Sequence, residues 1–392
     1  MAKSDKPGAG KGAATRMVHA GRRPFDHHGF INPPLYRGST VLYPDTASLT
    51  GKPPPYVYGR RGTPTMAALE EAIGELDGAA GCVISPSGLG AITAAILAYA
   101  RAGDHVLVTD SVYRPTRHFC DSVLARLGIE TEYYDPLMGG AIKALLKPNT
   151  RLVYTESPGS QTMEVQDIPA IAAAAHDHGA LVLCDNTWGT PLYFAAIGKG
   201  VDVVIHAATK YITGHSDAML GAISANDAAW PALRDTWQAL GNCAGTEEIY
   251  IGLRGLRTMA VRLERQMAAG IEIASWLRGR AEVAEVLHPA LAGAPGHELW
   301  KRDFSGACGL FSIVLKPVAQ KKVHAMLDSL ALFGLGYSWG GYESLIIPFD
   351  PSQYRTATQW SAKGPALRLH VGLEDVADLK ADLARGLEKL RS

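Results

Sequence analysis

Lys210 stands where a lysine can do covalent chemistry. The apolar run Val201 to Ala208 reads as a strand ending in Thr209-Lys210, and the chain then breaks at Gly214-His215-Ser216-Asp217. A lysine at a strand end inside a pocket gives up its proton readily, and the free amine attacks a carbonyl. Most lysines are solvated surface charges, so the reading rests on the company this one keeps. Upstream, Leu181-Val182-Leu183-Cys184 is a second short apolar run, ending in Asp185-Asn186-Thr187. A buried carboxylate there can pair with the protonated nitrogen of a pyridine ring, the partner required by a cofactor whose aldehyde the lysine captures.

Other segments carry groups suited to such a ligand. Ser87-Gly88-Leu89-Gly90 precedes a helix-favouring stretch, so its N–H groups point out of a helix N-terminus. That is either a phosphate cradle or a plain capping turn. It is not a dinucleotide fingerprint, because Gly90 is followed by Ala91-Ile92-Thr93. The tight basic segment Tyr58-Gly59-Arg60-Arg61-Gly62-Thr63 offers phosphate donors or is simply an exposed loop. Tyr113 follows the strand-like His105 to Thr109 and either stacks on a flat ring or packs in the core. Arg368, in the alternating Leu367-Arg368-Leu369-His370, meets either solvent or a carboxylate.

Alternating elements are needed to bring these residues together. Helical patterns over Thr65 to Leu76, Leu89 to Arg101, Thr116 to Leu127 and Ile168 to His178 alternate with strand-like runs at His105 to Thr109, Arg151 to Thr155, Leu181 to Cys184 and Val201 to Ile205. Such alternation predicts an α/β fold, a mostly parallel sheet covered by helices, with ligands at the carboxyl ends of the strands. Thr246 to Arg280 favours helix and leads to a smaller α+β unit. In it, strands at Ala307 to Leu315 and Ala366 to Val371 accompany helices at Val318 to Leu330 and Glu374 to Arg391. The expected division is a disordered leader over 1–14, an N-terminal extension over 15–63, a large domain over 64–255 and a C-terminal domain over 256–392 with its connecting helix.

Composition narrows the function classes. At 392 residues the chain exceeds what one core sustains, so two domains are expected. Lys plus Arg and Asp plus Glu number 38 each, which leaves no basic field to recruit nucleic acid or anionic lipid. The apolar stretch Gly90 to Ala100 stops at Arg101, too short for a bilayer span. Met1 to Ala14 has no apolar h-region, so it reads as a leader rather than a signal peptide. Cys82, Cys120, Cys184, Cys243 and Cys308 form no CxxC pair and read as reduced thiols of a cytoplasmic protein. His176 and His178 do not share a helix face, and no metal is expected.

Taken together, Asp185-Asn186-Thr187, the run from Ala208-Thr209-Lys210-Tyr211 to Gly214-His215-Ser216-Asp217, Tyr58-Gly59-Arg60 and Glu156-Ser157-Pro158 have a recognisable pattern. It resembles the Cys/Met-metabolism pyridoxal-phosphate enzymes of aspartate-aminotransferase-like fold, over residues from about 15 to 390. Within that family, Tyr337-Ser338-Trp339-Gly340-Gly341-Tyr342-Glu343-Ser344-Leu345, Ser157-Pro158-Gly159-Ser160 and Lys301-Arg302-Asp303-Phe304-Ser305-Gly306 look most like the bacterial lyases that cleave cystathionine at its β carbon. One departure stands out: Ala207 occupies a position where many relatives carry serine, removing one phosphate hydroxyl and leaving Thr209.

The resemblance implies pyridoxal 5'-phosphate as cofactor, with Lys210 as Schiff-base residue and acid–base catalyst and Asp185 pairing the pyridinium. It also implies that the Gly88 and Leu89 N–H groups and Thr209 bind the phosphate. Tyr58 and Arg60 then reach the phosphate of a neighbouring subunit, making a homodimer the active unit, within a homotetramer. Tyr113 stacks on the ring and assists proton transfer, Arg368 holds the substrate carboxylate near Ser338, and Tyr337 and Trp339 line the side-chain end of the substrate pocket. The implied reaction is β-elimination from an amino-acid thioether, cystathionine giving homocysteine, pyruvate and ammonia. Alternatives on the same fold are a γ-lyase, a γ-synthase, a broader cysteine-S-conjugate lyase or a racemase. A non-catalytic scaffold is opposed by the joint presence of Lys210, Asp185 and Arg368.

Overall fold

Strands as uniformly apolar as Val-Val-Ile-His and Leu-Val-Leu-Cys-Asp bury both faces, so the sheet they form must be covered on each side. The computed structural model describes residues 10–391, and within them seven strands form the larger sheet. These are β1 (Gly81–Ser85), β2 (His105–Thr109), β3 (Glu130–Tyr134), β4 (Thr150–Glu156), β5 (Leu181–Asp185), β6 (Val203–His206) and β7 (Gly221–Ala225). Their order is β1-β7-β6-β5-β4-β2-β3. Pairing is parallel from β6 through β5, β4 and β2 to β3, while β7 runs antiparallel between β1 and β6. Parallel strands end on one side, and that side receives Asp185 as the last residue of β5 and Glu156 as the last of β4. Lys210 lies in the turn that follows β6 rather than on the strand itself.

Three of these strands are quiet in the sequence for a physical reason. β7, Gly-Ala-Ile-Ser-Ala, is mostly small residues, β1, Gly-Cys-Val-Ile-Ser, has only three apolar residues between Gly and Ser, and β3, Glu-Thr-Glu-Tyr-Tyr, is an edge strand with a polar face. A second, antiparallel sheet has the order β10-β11-β9-β8, from β8 (Val283–Leu287), β9 (Leu310–Leu315), β10 (Leu345–Phe349) and β11 (Ala366–His370). Leu277, Ile313, Leu369 and Leu383 belong to its own buried core. Among the described residues no helix is long and apolar enough to cross a membrane. All five cysteines are free, four of them buried and Cys243 exposed.

The expected N-terminal boundary needs correcting. Residues 1–9 of the expected leader lie outside the described residues, but a helix already begins at Ala13 and runs to His19. Its Met17 is buried, and the Arg257 guanidinium donates to the carbonyls of Met17 and Ala20 at 2.6 and 2.8 Å. The helix-favouring stretch from 246 is two helices, Thr246–Arg257 and Met259–Arg278, parted at Thr258. Buried Arg262 sits at the break. It donates to the Gly255 carbonyl at 2.8 Å, to the Thr258 hydroxyl at 3.1 Å and to the Tyr211 carbonyl at 2.9 Å. One guanidinium therefore caps the first helix and pins the turn that carries Lys210. Arg262→Ala takes the guanidinium donor from the buried Tyr211 carbonyl, while Thr258 still serves that of Gly255, and is expected to cost about 2 to 3 kcal/mol, read as a lower urea midpoint. An unchanged midpoint would mean that the pin carries no stability.

Candidate functional site

A cavity of about 1200 Å³ opens at the carboxyl ends of β2, β4 and β5, with Asp185, Glu156 and Lys210 on the large-domain side and, facing them, Arg368 of the second sheet with Trp339 and Tyr354 from the connections on either side of β10. The helix Gly88–Leu97 aims its N-terminus at this cavity. Ser87 caps it, its hydroxyl accepting the Gly90 N–H at 3.0 Å, and Gly88 and Leu89 line the wall. The first turn lies so close to residue 207 that a Cβ on Gly88 would come within 2.5 Å of the Ala207 Cβ. Small residues on both sides of this contact keep the helix N-terminus against the turn after β6. Ala207, the departure noted in the sequence, is thus part of a tight backbone approach.

Lys210 is largely withdrawn from water. Its Nζ donates to the Ser338 hydroxyl at 2.8 Å and lies 5.5 Å from the centre of the Trp339 ring. Burial, and then the Arg368 charge, bring its pKa down to about 8, against the pull of Asp185. Asp185 is buried, and its Oδ1 accepts both the N–H and the hydroxyl of Thr187. That hydroxyl in turn accepts the Ala207 N–H at 2.8 Å, linking the end of β5 to the turn after β6. Burial raises the Asp185 carboxyl above its ordinary value despite the Thr187 bonds.

Glu156 is the site residue that the sequence reading left without a role. Its Oε2 accepts the Tyr113 N–H at 2.7 Å, and burial together with Asp185 pushes its carboxyl well above the ordinary range. Two carboxyls share one desolvated floor, so ionising one disfavours ionising the other. Its signals in the sequence are an acidic residue closing β4 and its place in Glu156-Ser157-Pro158, which gave it no role. Tyr113 itself stands at the start of the helix Arg114–Phe119, with its ring on the cavity wall.

Arg368 occupies the middle of β11, between Ser312 of β9 and Ile347 of β10. One of its terminal nitrogens donates to the Tyr337 and Ser338 carbonyls at 2.8 and 3.1 Å, and burial lowers its pKa to about 10. It remains a cation at neutral pH, and the bonds hold its plane. Trp339 packs on Tyr211 with ring centres 5.5 Å apart. Tyr337 lines the cavity at its rim but is 87% exposed, so in a single chain it closes nothing.

Three predicted residues stand apart from this cluster in different ways. The Thr209 hydroxyl is engaged with the backbone of Leu220, donating at 3.0 Å and accepting at 2.8 Å, so its one proton is already committed. Tyr58 and Arg60 do not line the cavity of their own chain. The Arg60 guanidinium donates to the Gln238 carbonyl at 2.9 Å, and Tyr58 is exposed. Elsewhere, His105, Glu130 and Glu132 come within ligand distance of one another, but the Lys147 ammonium already lies between the two carboxylates at 2.8 and 2.6 Å.

The whole chain has relatives of known description. The family model for Cys/Met metabolism PLP-dependent enzymes matches residues 14–388. A putative cystathionine beta-lyase of Rhizobium johnstonii is 54% identical over 379 residues, 96% of each chain. Cystathionine beta-lyase MetC of Escherichia coli is 43% identical over 393 residues, covering 97% of this chain and 100% of its own. In structure, metB from Corynebacterium glutamicum superposes with a TM-score of 0.89 at 31% identity, covering 97% of this chain and 99% of that one.

With its pKa near 8, the Lys210 amine is protonated and unreactive below that pH and nucleophilic above it. In cofactor-stripped protein, modification of Lys210 by trinitrobenzenesulfonate, followed by peptide mass spectrometry, should have its midpoint near pH 8. A midpoint at the ordinary lysine value near 10.4 would mean that the cavity does not tune it.

Proposed function

Since the chain belongs to the Cys/Met metabolism PLP-dependent enzymes, we propose that it is a carbon–sulfur lyase that converts L-cystathionine and water to homocysteine, pyruvate and ammonia. The observation that carries this reading is the placement of one amine, Lys210 Nζ, on Ser338 inside a cavity that also holds Asp185 and Arg368. The residues fit the cofactor of the family. A desolvated carboxylate closes β5, an amine of lowered pKa faces the same space, and a helix N-terminus is brought in by a contact that leaves no room for a Cβ. Lys210 would hold pyridoxal phosphate at its aldehyde carbon, Asp185 at the ring nitrogen, and the Gly88 and Leu89 N–H groups at the phosphate, the Thr209 donors being taken up by Leu220. When bound, the cofactor supplies a sink for the electron pair left on Cα.

The other tasks fall to this chain's side chains. Arg368 takes the substrate carboxylate on its planar fork, fixing the direction of the Cα–H bond. Once displaced from the aldehyde carbon by the substrate's own amino group, Lys210 Nζ, steered by the Ser338 hydroxyl, would take the proton from Cα. As the Cβ–S bond breaks, the sulfur leaves as homocysteine, and the proton held at Nζ is within reach of it. The remaining three-carbon enamine takes up water to give pyruvate and ammonia. Tyr113 stacks beside the reacting atoms and is held there through its N–H bond to Glu156. Trp339 narrows the side-chain end, which favours alignment of Cβ–S over Cγ–S.

A second copy of the chain completes the site in this proposal. The N-terminal segment exposes Phe25, Phe30, Ile31, Leu42 and Leu49, more apolar surface than an isolated strap leaves in water. Tyr58 and Arg60 lie in the same segment, away from their own cavity, which supports their serving the phosphate of a neighbour in a homodimer or tetramer. The free thiols suit the reducing cytoplasm.

Two experiments test these readings. Purified protein given cystathionine should release pyruvate and homocysteine, and Lys210→Ala should abolish release while the protein still folds. Dominant 2-oxobutyrate would instead mark γ-cleavage, and racemised amino acid without pyruvate would mark a racemase. Mixing inactive Arg60→Ala with inactive Lys210→Ala chains under exchange should restore activity, because a hybrid dimer has one site with both wild-type residues. No recovery after verified exchange would oppose a shared site.

A further inference from the structure

Asp110 directly follows β2, is wholly buried, and takes no part in the steps above. Its carboxylate reaches across to the segment between β10 and β11. Oδ1 accepts the Thr356 N–H at 3.1 Å, while Oδ2 accepts the N–H groups of Ala357 and Thr358 at 3.1 and 2.8 Å and the Thr358 hydroxyl at 2.6 Å. Arg117 completes the group, paired with Asp110 and lying 3.5 Å from the centre of the Tyr133 ring. Three successive backbone N–H groups thus form a nest for an anion, filled by the protein's own carboxylate. Burial penalises the charge, yet the Thr358 hydroxyl, the Thr356 and Thr358 N–H groups and Arg117 hold the carboxyl below its ordinary value.

The segment so gripped, residues 350–364, has only the short turn Pro351–Gln353 as regular structure. Its shape is set by what it is tied to. Gln353, Tyr354 and Trp360 line the cavity from it. A second tie joins it to the loop after β4: Arg355 donates to Glu164 at 2.7 Å and to the Thr162 hydroxyl, and the Tyr354 hydroxyl donates to the Gln161 side chain at 2.9 Å.

We propose that Asp110 is a positioning residue that draws segment 350–364 onto the large domain and thereby sets the cavity wall against which the part of the substrate beyond sulfur packs. Without the carboxylate, three N–H groups lose their acceptor and the segment turns them to water. The inference rests on the thioether-lyase reading for its substrate, though the clasp itself does not.

The test compares wild-type holoenzyme with Asp110→Asn, which keeps the shape but turns an amide against the donors, and with Thr358→Val on the other side of the clasp. Substrates are cystathionine and β-chloroalanine, which has nothing beyond a small leaving group. For cystathionine, KM should rise about tenfold in Asp110→Asn and about threefold in Thr358→Val with kcat held within about twofold, the pattern of lost uniform binding. For β-chloroalanine KM should stay put. Cofactor absorbance should be unchanged, and exchange of the 356–358 amides should quicken by about tenfold or more as local opening becomes easier. Equal KM shifts for both substrates, or a fall in kcat alone with unchanged exchange, would overturn the proposal. If Asp110→Asn does not fold, Thr358→Val decides by the same two readouts. Should the wild type leave cystathionine uncleaved, the lyase reading fails, whereas the exchange rates still decide whether the clasp exists.

Discussion

Withdrawal of water from one amine is the constraint on which the rest of this structure depends. Lys210 is useful only if it spends much of its time neutral, and a lysine is neutral near pH 8 only where burial penalises its charge. Burial without partners would be ruinous for the groups that must sit beside it. Arg368 therefore lies on carbonyls of residues 337 and 338, and Asp185 on Thr187, so each polar group is desolvated but not orphaned. The same interior that depresses the amine raises the carboxyls of Asp185 and Glu156, against the Thr187 bonds and the charges of His206 and Lys210 in the case of Asp185.

Such an interior needs two walls. The parallel sheet supplies one, because strands of one direction deliver their last residues to one edge. The antiparallel sheet supplies the other through β11, whose Arg368 is held between two neighbouring strands. The walls are joined by charge as well as by apolar packing. Arg262 joins the long helix of the second unit to the turn of Lys210, and Asp110 joins the end of β2 to the backbone between β10 and β11. Both ties are buried ions bonded to backbone groups of a loop, and loops lack the repeating bonds that would otherwise fix them.

Local pattern made much of this legible. The β2 strand and the Ile168–His178 helix fall where periodicity puts them, because their burial is uniform and the period carries the information. Asp185 and Arg368 stand out as candidates because one closes and the other interrupts an apolar strand, where an ionisable residue has a cost that chemistry or pairing offsets, and Lys210 because it follows such a strand by a short turn. β1, β3 and β7 were silent because small or polar residues made them strands only by pairing with neighbours.

By itself the sequence determined the alternating architecture, the lysine and its aspartate, and the family pattern that joins them, since these are written in residue type and short spacing. Tertiary structure alone decided what surrounds them. It committed the Thr209 hydroxyl to Leu220, put Glu156 on the Tyr113 N–H, kept Tyr58 and Arg60 out of their own cavity, and set Asp110 beneath residues 356–358. Each of those contacts joins residues distant in sequence or separated by a turn whose path no periodicity encodes. A hydrogen bond depends on distance and angle in space, and those are fixed only once both sheets have packed.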